Sequence, residues 1–256
     1  MNTWRLLITR PAADNQLLAA QLQQLGIFSF GLPLLDMRAL EETPAQRTLM
    51  LNLDRYSSIV VVSKPAARYA LERLDTYWPQ PPSRPQWFSV GAATGQILKE
   101  YGLPVSWPEQ GDNSEALLAL AAFQDSLRQP NPRALIMRAD VGRDFLSQQI
   151  LDKGVPVDFL PLYERFLPEY PTNLLLESIQ QNQLNGLVVS SEQGLKHLLE
   201  LADIDWSKLA RLPLFTPSPR VAQTARDLGA TYVIDCQGAS NDALIKALQQ
   251  HRPLQS

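Results

Sequence analysis

Ile59-Val60-Val61-Val62-Ser63-Lys64-Pro65 is a β-branched run that ends in a hydroxyl and opens a helix, Ala66 to Leu74. Gly186-Leu187-Val188-Val189-Ser190-Ser191-Glu192 repeats the plan before a helix ending near Leu201. Ser63 and Ser190 stand 127 positions apart, and the same spacing carries Gly102 onto Gly229, Gly111 onto Gly238 and Ala116-Leu117 onto Ala243-Leu244. A spacing of 128 carries Leu7-Ile8-x-Arg10 onto Leu135-Ile136-x-Arg138, Gly26 onto Gly154 and Leu32-Pro33-Leu34 onto Leu160-Pro161-Leu162. The chain is one half used twice.

Each half reads outward from its serine in the same order. An apolar strand comes first (Leu6–Arg10; Leu135–Arg138), then a helix with apolar positions three to four apart that stops at Gly26 or Gly154. A second extended segment crosses the Leu-Pro-Leu pair, and the serine unit is the third strand. Trp87–Gly91 and Leu214–Pro217 are the fourth, each before a helix that ends at Gly102 or Gly229. A short fifth strand leads to Asn113-Ser114-Glu115 or Ser240-Asn241-Asp242, both with the residues of a helix N-cap and an acid in the first turn. Strands alternating with helices, apolar and without polar alternation, predict parallel sheets covered on both faces. The fold expected is α/β, two similar five-stranded doubly wound units. The Pro-rich Trp78–Pro85 stretch has no twin and reads as a loop inserted in the first half. From the repeat alone, the halves fold either consecutively or with their first strand–helix units exchanged.

Length fits two domains, since 256 residues are about twice the usual ~100–150. The longest apolar run, Ala116 to Phe123, is far short of the ~18 residues a membrane span needs. The start, Trp4-Arg5-Leu6-Leu7-Ile8, reads as a strand and not a signal segment, and the single Cys236 allows no internal disulfide. A cytoplasmic protein is expected. A net charge of −3 argues against a nucleic-acid footprint.

The chemistry is first a set of exclusions. There is no phosphate-binding glycine loop, no paired cysteine and no Gly-x-Ser-x-Gly elbow, and His197 and His251 lie far apart in sequence. A metal site, a Ser-His pair and a bound cofactor are not expected. What remains is a series of strand-to-helix turns rich in hydroxyl or basic side chains: Thr9-Arg10-Pro11, Ser63-Lys64-Pro65, Gly91-Ala92-Ala93-Thr94, Arg138-Ala139-Asp140, Ser190-Ser191-Glu192 and Thr216-Pro217-Ser218-Pro219-Arg220. In a parallel sheet these turns share the carboxyl edge, where open α/β sheets bind ligands. Each helix start offers free N–H groups worth roughly 0.3–1 kcal/mol per anionic group, so several together suit a polycarboxylate. Each residue also has a structural reading: Ser63, Ser190 and Ser218 as N-caps, Arg10 and Arg138 as ion-pair partners, Lys64 and Arg220 as solvated charges, Tyr163 as packing.

Leu7-Ile8-Thr9-Arg10-Pro11, Ile59–Ser63 before a helix, Val90-Gly91-x-x-Thr94, the turn from Arg138 to Arg143, Leu162-Tyr163 and Val188-Val189-Ser190-Ser191 together resemble the uroporphyrinogen-III synthase family, over essentially the whole chain. Phe215-Thr216-Pro217-Ser218-Pro219 departs from the family's Gly-Pro-Thr-Thr-like turn: Ser218 keeps a hydroxyl, while the second proline removes an N–H donor. The resemblance implies two flavodoxin-like domains, residues 1–35 with 166–256 and residues 36–165, joined by a two-stranded connection with the first strand–helix unit exchanged. It implies a tetrapyrrole held between them and a cofactor-free reaction in a monomer: closure of linear hydroxymethylbilane to uroporphyrinogen III, with loss of water and inversion of the last pyrrole ring through a spiro intermediate. Carried onto this sequence, the binding residues are Thr9, Arg10, Ser63, Lys64, Gly91, Thr94, Arg138, Arg143, Ser190, Ser191 and Ser218, and Tyr163 is the proton donor. Two other classes compete. One is a non-catalytic two-domain module binding a polycarboxylate metabolite; the other, a glycosyl- or nucleotide-transferring enzyme, lacks the phosphate loop and the paired acids it needs.

Overall fold

The structure is a computed structural model and describes residues 3–253. The chain begins β1 (Arg5–Ile8), α1 (Ala12–Gln24), β2 (Phe28–Gly31), β3 (Asp36–Ala39), α2 (Pro44–Leu51), β4 (Ser58–Val61), α3 (Lys64–Tyr77), β5 (Gln86–Ser89) and α4 (Ala92–Glu100). It continues through β6 (Val105–Ser106), α5 (Ser114–Ala119), α6 (Ala121–Ser126), β7 (Ala134–Ala139), α7 (Phe145–Leu151) and β8 (Val157–Phe166). The last part is α8 (Leu174–Gln181), β9 (Gly186–Val188), α9 (Glu192–Ala202), α10 (Trp206–Leu209), β10 (Leu214–Thr216), α11 (Pro219–Asp227), β11 (Val233–Asp235) and α12 (Asn241–Gln250).

These elements form two compact units. One takes the described residues up to Asp36 and from Phe166 on; the other is Met37–Arg165. In the first, five strands lie in the order β11-β10-β9-β1-β2, paired in parallel. In the second, six lie in the order β3-β8-β7-β4-β5-β6, with β8, β7, β4, β5 and β6 paired in parallel. β1 therefore joins the sheet of β9, and β7 the sheet of β4: the first strand–helix unit of each half completes the sheet of the other half. The sixth strand corrects the count of five. Asp36-Met37-Arg38-Ala39 is polar enough to sit at a sheet edge, and β3 does so beside β8, with the Leu40 N–H donating to the Leu162 carbonyl.

Why the strands read as unbroken apolar runs is visible in the packing. Successive strand residues point to opposite faces, and both faces of each sheet are covered. Ile59 and Val61 of β4 enter one core while Val60 enters the other; on β7, Leu135 and Met137 divide from Ala134 and Ile136 in the same way. In the first unit Leu7 packs on one side of β1, with Leu6 and Ile8 on the other. The helices end where the glycines predict. Gly26, Gly154, Gly102 and Gly229, the duplicated C-cap pairs, adopt φ of +71°, +78°, +103° and +94°, a backbone that side chains with a Cβ resist.

The duplication needs one adjustment. Ser63 caps α3, its Oγ accepting the Ala66 N–H at 3.2 Å, but α9 is capped by Ser191, which accepts from Gly194 at 3.0 Å. The structural twin of Ser63 is thus Ser191, and the 128 spacing continues one turn further than residue identity suggests. Further along, Gly91 and Ser218 occupy matching N-cap positions of α4 and α11, back on a spacing of 127.

One close approach fixes a glycine. A Cβ on Gly95, inside α4, would lie 2.2 Å from Cε3 of Trp107 and 2.8 Å from the Ser89 Oγ. Gly→Ala inside a helix ordinarily stabilises by about 1 kcal/mol. Here the indole is rigid and overpacking costs about 1–3 kcal/mol, so the clash decides the sign. Gly95→Ala is expected to lower stability by about 1 kcal/mol or more, read as a shifted denaturation midpoint. A stabilised variant would contradict this packing.

Candidate functional site

In a sheet wound in both directions, ligands collect at the carboxyl ends of the strands where the winding reverses. In Met37–Arg165 that point lies between β7 and β4, whose carboxyl ends lead to Arg138 and Ser63. A cavity of about 400 Å³ opens there. Its wall includes Val62, Ser63, Val90, Asn113, Ser114, Arg138, Val141, Arg143, Phe145, Tyr163 and Arg165. The charged lining is three guanidinium groups against two carboxylates, Asp112 and Glu115. A larger groove of about 660 Å³ runs past Trp107 and α5, but its one charged side chain is Glu109, which repels an anion.

Tyr163 is 1% exposed and still lines the cavity. The strand delivers it there through an irregularity. β7 and β8 run in register up to Arg138 opposite Pro161, after which Ala139 faces Tyr163 and Leu162 is left as an extra residue. Pro161 has no N–H to give the ladder, which is where a bulge costs least. The ring stacks on Tyr69, centroids 5.8 Å apart at 26°. The phenol oxygen lies 3.0 Å from the Ser63 Oγ and receives a hydrogen bond from Arg165 Nη2 at 3.3 Å.

Arg138 is held in place. Its Nη1 meets Asp144 at 2.9 Å, its guanidinium lies 4.9 Å from the Phe159 ring centroid, and the Gly142 backbone packs so close that a Cβ would come within 3.0 Å of it. Arg143 is exposed and has no ion-pair partner among the described residues.

The other predicted residues fall elsewhere. Lys64 is the exposed first residue of α3 and does not line the cavity. Gly91 caps α4 with a bare backbone, where a Cβ would sit 2.7 Å from that of Asp112; Thr94 is buried in that helix's first turn.

The first unit presents its own carboxyl edge, where Thr9 and Arg10 follow β1 and Ser190 and Ser191 follow β9. Thr9 is buried and donates its hydroxyl proton to the Val188 carbonyl at 2.7 Å, tying β1 to β9. Arg10, 8% exposed, donates from Nη1 to Asn241 Oδ1, and Nη2 lies 3.5 Å from the Ser240 carbonyl at the start of α12. Burial pulls its pKa down, with Asp14 and Cys236 acting the other way. These two side chains are built into the fold, a reading the sequence had kept open for Arg10 and not for Thr9. Burial also pushes the Cys236 thiol up to about 12, with Asp235 adding to it, so it is no nucleophile. Ser190 is half-buried. Ser218 caps α11, accepting from Val221 at 3.4 Å, and Pro219 takes the first helical position, where a missing N–H breaks no helix bond. The second proline is thus a helix-starting residue, and Arg220 pairs with Glu192.

Unpredicted contributors include Arg165, the Asn113-Ser114 turn and the apolar Val141 and Phe145. A signal for Arg165 was available: in a strand the residue two after Tyr163 points to the same side.

The comparisons with known proteins join this geometry. A family model described as uroporphyrinogen-III synthase HemD matches residues 16–246. The chain belongs to the uroporphyrinogen-III synthase family. Among curated members of that family, the Salmonella typhimurium synthase is 30% identical over 248 residues, covering 95% of this chain and 99% of the relative. The Escherichia coli synthase is 28% identical over 251 residues, with the same coverage. The fold is shared with solved uroporphyrinogen III synthases from Thermus thermophilus (TM-score 0.62, 17% identity, 97% and 100% of the two chains) and Helicobacter pylori (0.56, 15%, 97% and 100%).

Proposed function

We infer that the chain is a uroporphyrinogen-III synthase, a cyclising lyase that converts hydroxymethylbilane to uroporphyrinogen III with loss of water and inversion of the last pyrrole ring. The observation that carries this is kinship over nearly the full length of both chains, at 30% identity to a curated synthase. The cavity in Met37–Arg165 supports a mechanism. The substrate bears eight carboxylates, and Arg138 and Arg143 are donors matched to carboxylate geometry. Tyr163 is the proton donor. Its phenol gives a proton to the departing hydroxyl, the C–O bond breaks, water leaves, and a cationic pyrrole methylene remains. The phenolate takes back the proton released when the rearranged ring regains its aromaticity.

No strong nucleophile is required, because the leaving group departs readily once protonated. The enzyme's larger task is to hold the chain so that the spiro closure outruns the simple one, and positioning of that kind is worth several kcal/mol. Val141 and Phe145, apolar and exposed at 73% and 43%, line the same cavity and suit the pyrrole faces. No described helix is long and apolar enough to cross a membrane. Work in the cytoplasm as a monomer is the setting that accords with this reading.

The test is product analysis. Purified protein incubated with freshly generated hydroxymethylbilane is expected to yield the III isomer. The I isomer alone would reject synthase activity and leave a polycarboxylate-binding module in its place.

A further inference from the structure

We propose that Arg165 is a positioning residue for proton transfer, acting on the phenol oxygen of Tyr163 and not as an anchor for a substrate carboxylate. The proposal deepens, and rests on, the reading of Tyr163 as the proton donor.

A phenol oxygen has one proton and two acceptor sites, and a guanidinium can only donate. Arg165 Nη2 therefore occupies one acceptor site of Tyr163, at 3.3 Å. The Ser63 Oγ, 3.0 Å from the same oxygen, accepts the Ala66 N–H as the cap of α3 with one lone pair, and between Ser63 and Tyr163 either hydroxyl can be the donor. With the Ser63 proton turned to the phenol oxygen, both acceptor sites are filled and the phenol's proton is left for the cavity, where a substrate hydroxyl would sit. The arrangement also anticipates the reaction. As the proton leaves, negative charge grows on the oxygen, and a permanently charged guanidinium is already in contact with it.

Arg165 has no other engagement that would account for its placement. It forms no ion pair among the described residues, and its Cζ is 5.8 Å from the Tyr163 ring centroid, at the outer limit of a cation–π contact. Arg138, by contrast, gives only Nη1 to Asp144 and keeps its other nitrogens for a carboxylate, and Arg143 meets no protein acceptor among the described residues.

Arg165→Met keeps the apolar stem and removes the charge. Near-native melting of this variant, and of Arg165→Lys, establishes that each folds. The expected result is a fall in kcat of about tenfold, the scale of one charge-assisted hydrogen bond, with KM within about twofold of the parent. In a Tyr163→Phe background the same substitution is expected to cost less than about twofold, because its partner atom is gone. Arg165→Lys is expected to recover part of kcat in the parent and nothing in the Tyr163→Phe background.

A raised KM with unchanged kcat would make Arg165 a substrate anchor and overturn the proposal. So would an equal loss in both backgrounds. An unchanged kcat for Tyr163→Phe alone would overturn the reading of Tyr163 itself, and is told apart by needing no substitution at Arg165.

Discussion

Tyr163→Phe is expected to lower kcat about a hundredfold, ~2.7 kcal/mol at the barrier, and by no less than tenfold, with little change in KM. The substitution deletes one oxygen from a ring that is otherwise fixed. Burial to 1% exposure and the stack on Tyr69 stay as they are, so the phenylalanine fills the same place. What is lost is the phenol's proton, together with the oxygen that accepts from Arg165 and shares a hydrogen bond with Ser63. A general acid is worth about 10²–10⁴ in rate, and the lower end applies because a hydroxyl on a pyrrole-bearing carbon leaves readily. Single-turnover product formation from hydroxymethylbilane separates this step from binding. A rate indistinguishable from the parent would return Tyr163 to a purely packing role and move the acid elsewhere on the rim.

The second large effect is on stability. Phe215→Ala is expected to destabilise the first unit by about 3–5 kcal/mol. Phe215 is fully buried on β10, and its ring meets Trp4 edge to face at a centroid distance of 5.1 Å. Around it are Leu6, Ile8, Val188, Ile234 and Leu244, drawn from four other elements, so no single neighbour can collapse into the gap. The position also supports the site edge, since β10 leads through Thr216 and Pro217 directly to the Ser218 cap of α11. The measurement is hydrogen exchange resolved by residue under denaturant. Faster exchange is expected across β1, β9, β10 and β11; a loss below about 1 kcal/mol would mean the ring is not the keystone its burial indicates.

Much of this was legible in the residues. The strand runs, the four glycine stops, the N-caps at Ser63, Asn113, Ser218 and Ser240, and the parallel character of the sheets follow from local rules of periodicity and capping. The loop from Trp78 to Pro85 lies between α3 and β5 as its prolines require, but it is not an insertion, since α10 fills the matching place in the second half. The site was legible in part. The turn residues were read correctly as strand-to-helix junctions, but Ser63, Arg138, Arg143 and Tyr163 line the cavity of Met37–Arg165, whereas Thr9 and Arg10 are spent on internal bonds.

What the sequence determined by itself is local and repeated: which segments extend, which coil, where each stops, and that the plan is used twice. Those outcomes depend on the few residues within a turn or a strand of one another. The tertiary structure alone decided which half's strands lie together, that Ser191 and not Ser190 matches Ser63, that a bulge at Pro161 turns Tyr163 toward a cavity, and that Arg165 reaches its oxygen. Each is a relation between atoms brought close by burial of the two sheet faces. Hydrophobic burial is non-directional, so an apolar pattern tells a strand to be covered without naming the partner that covers it.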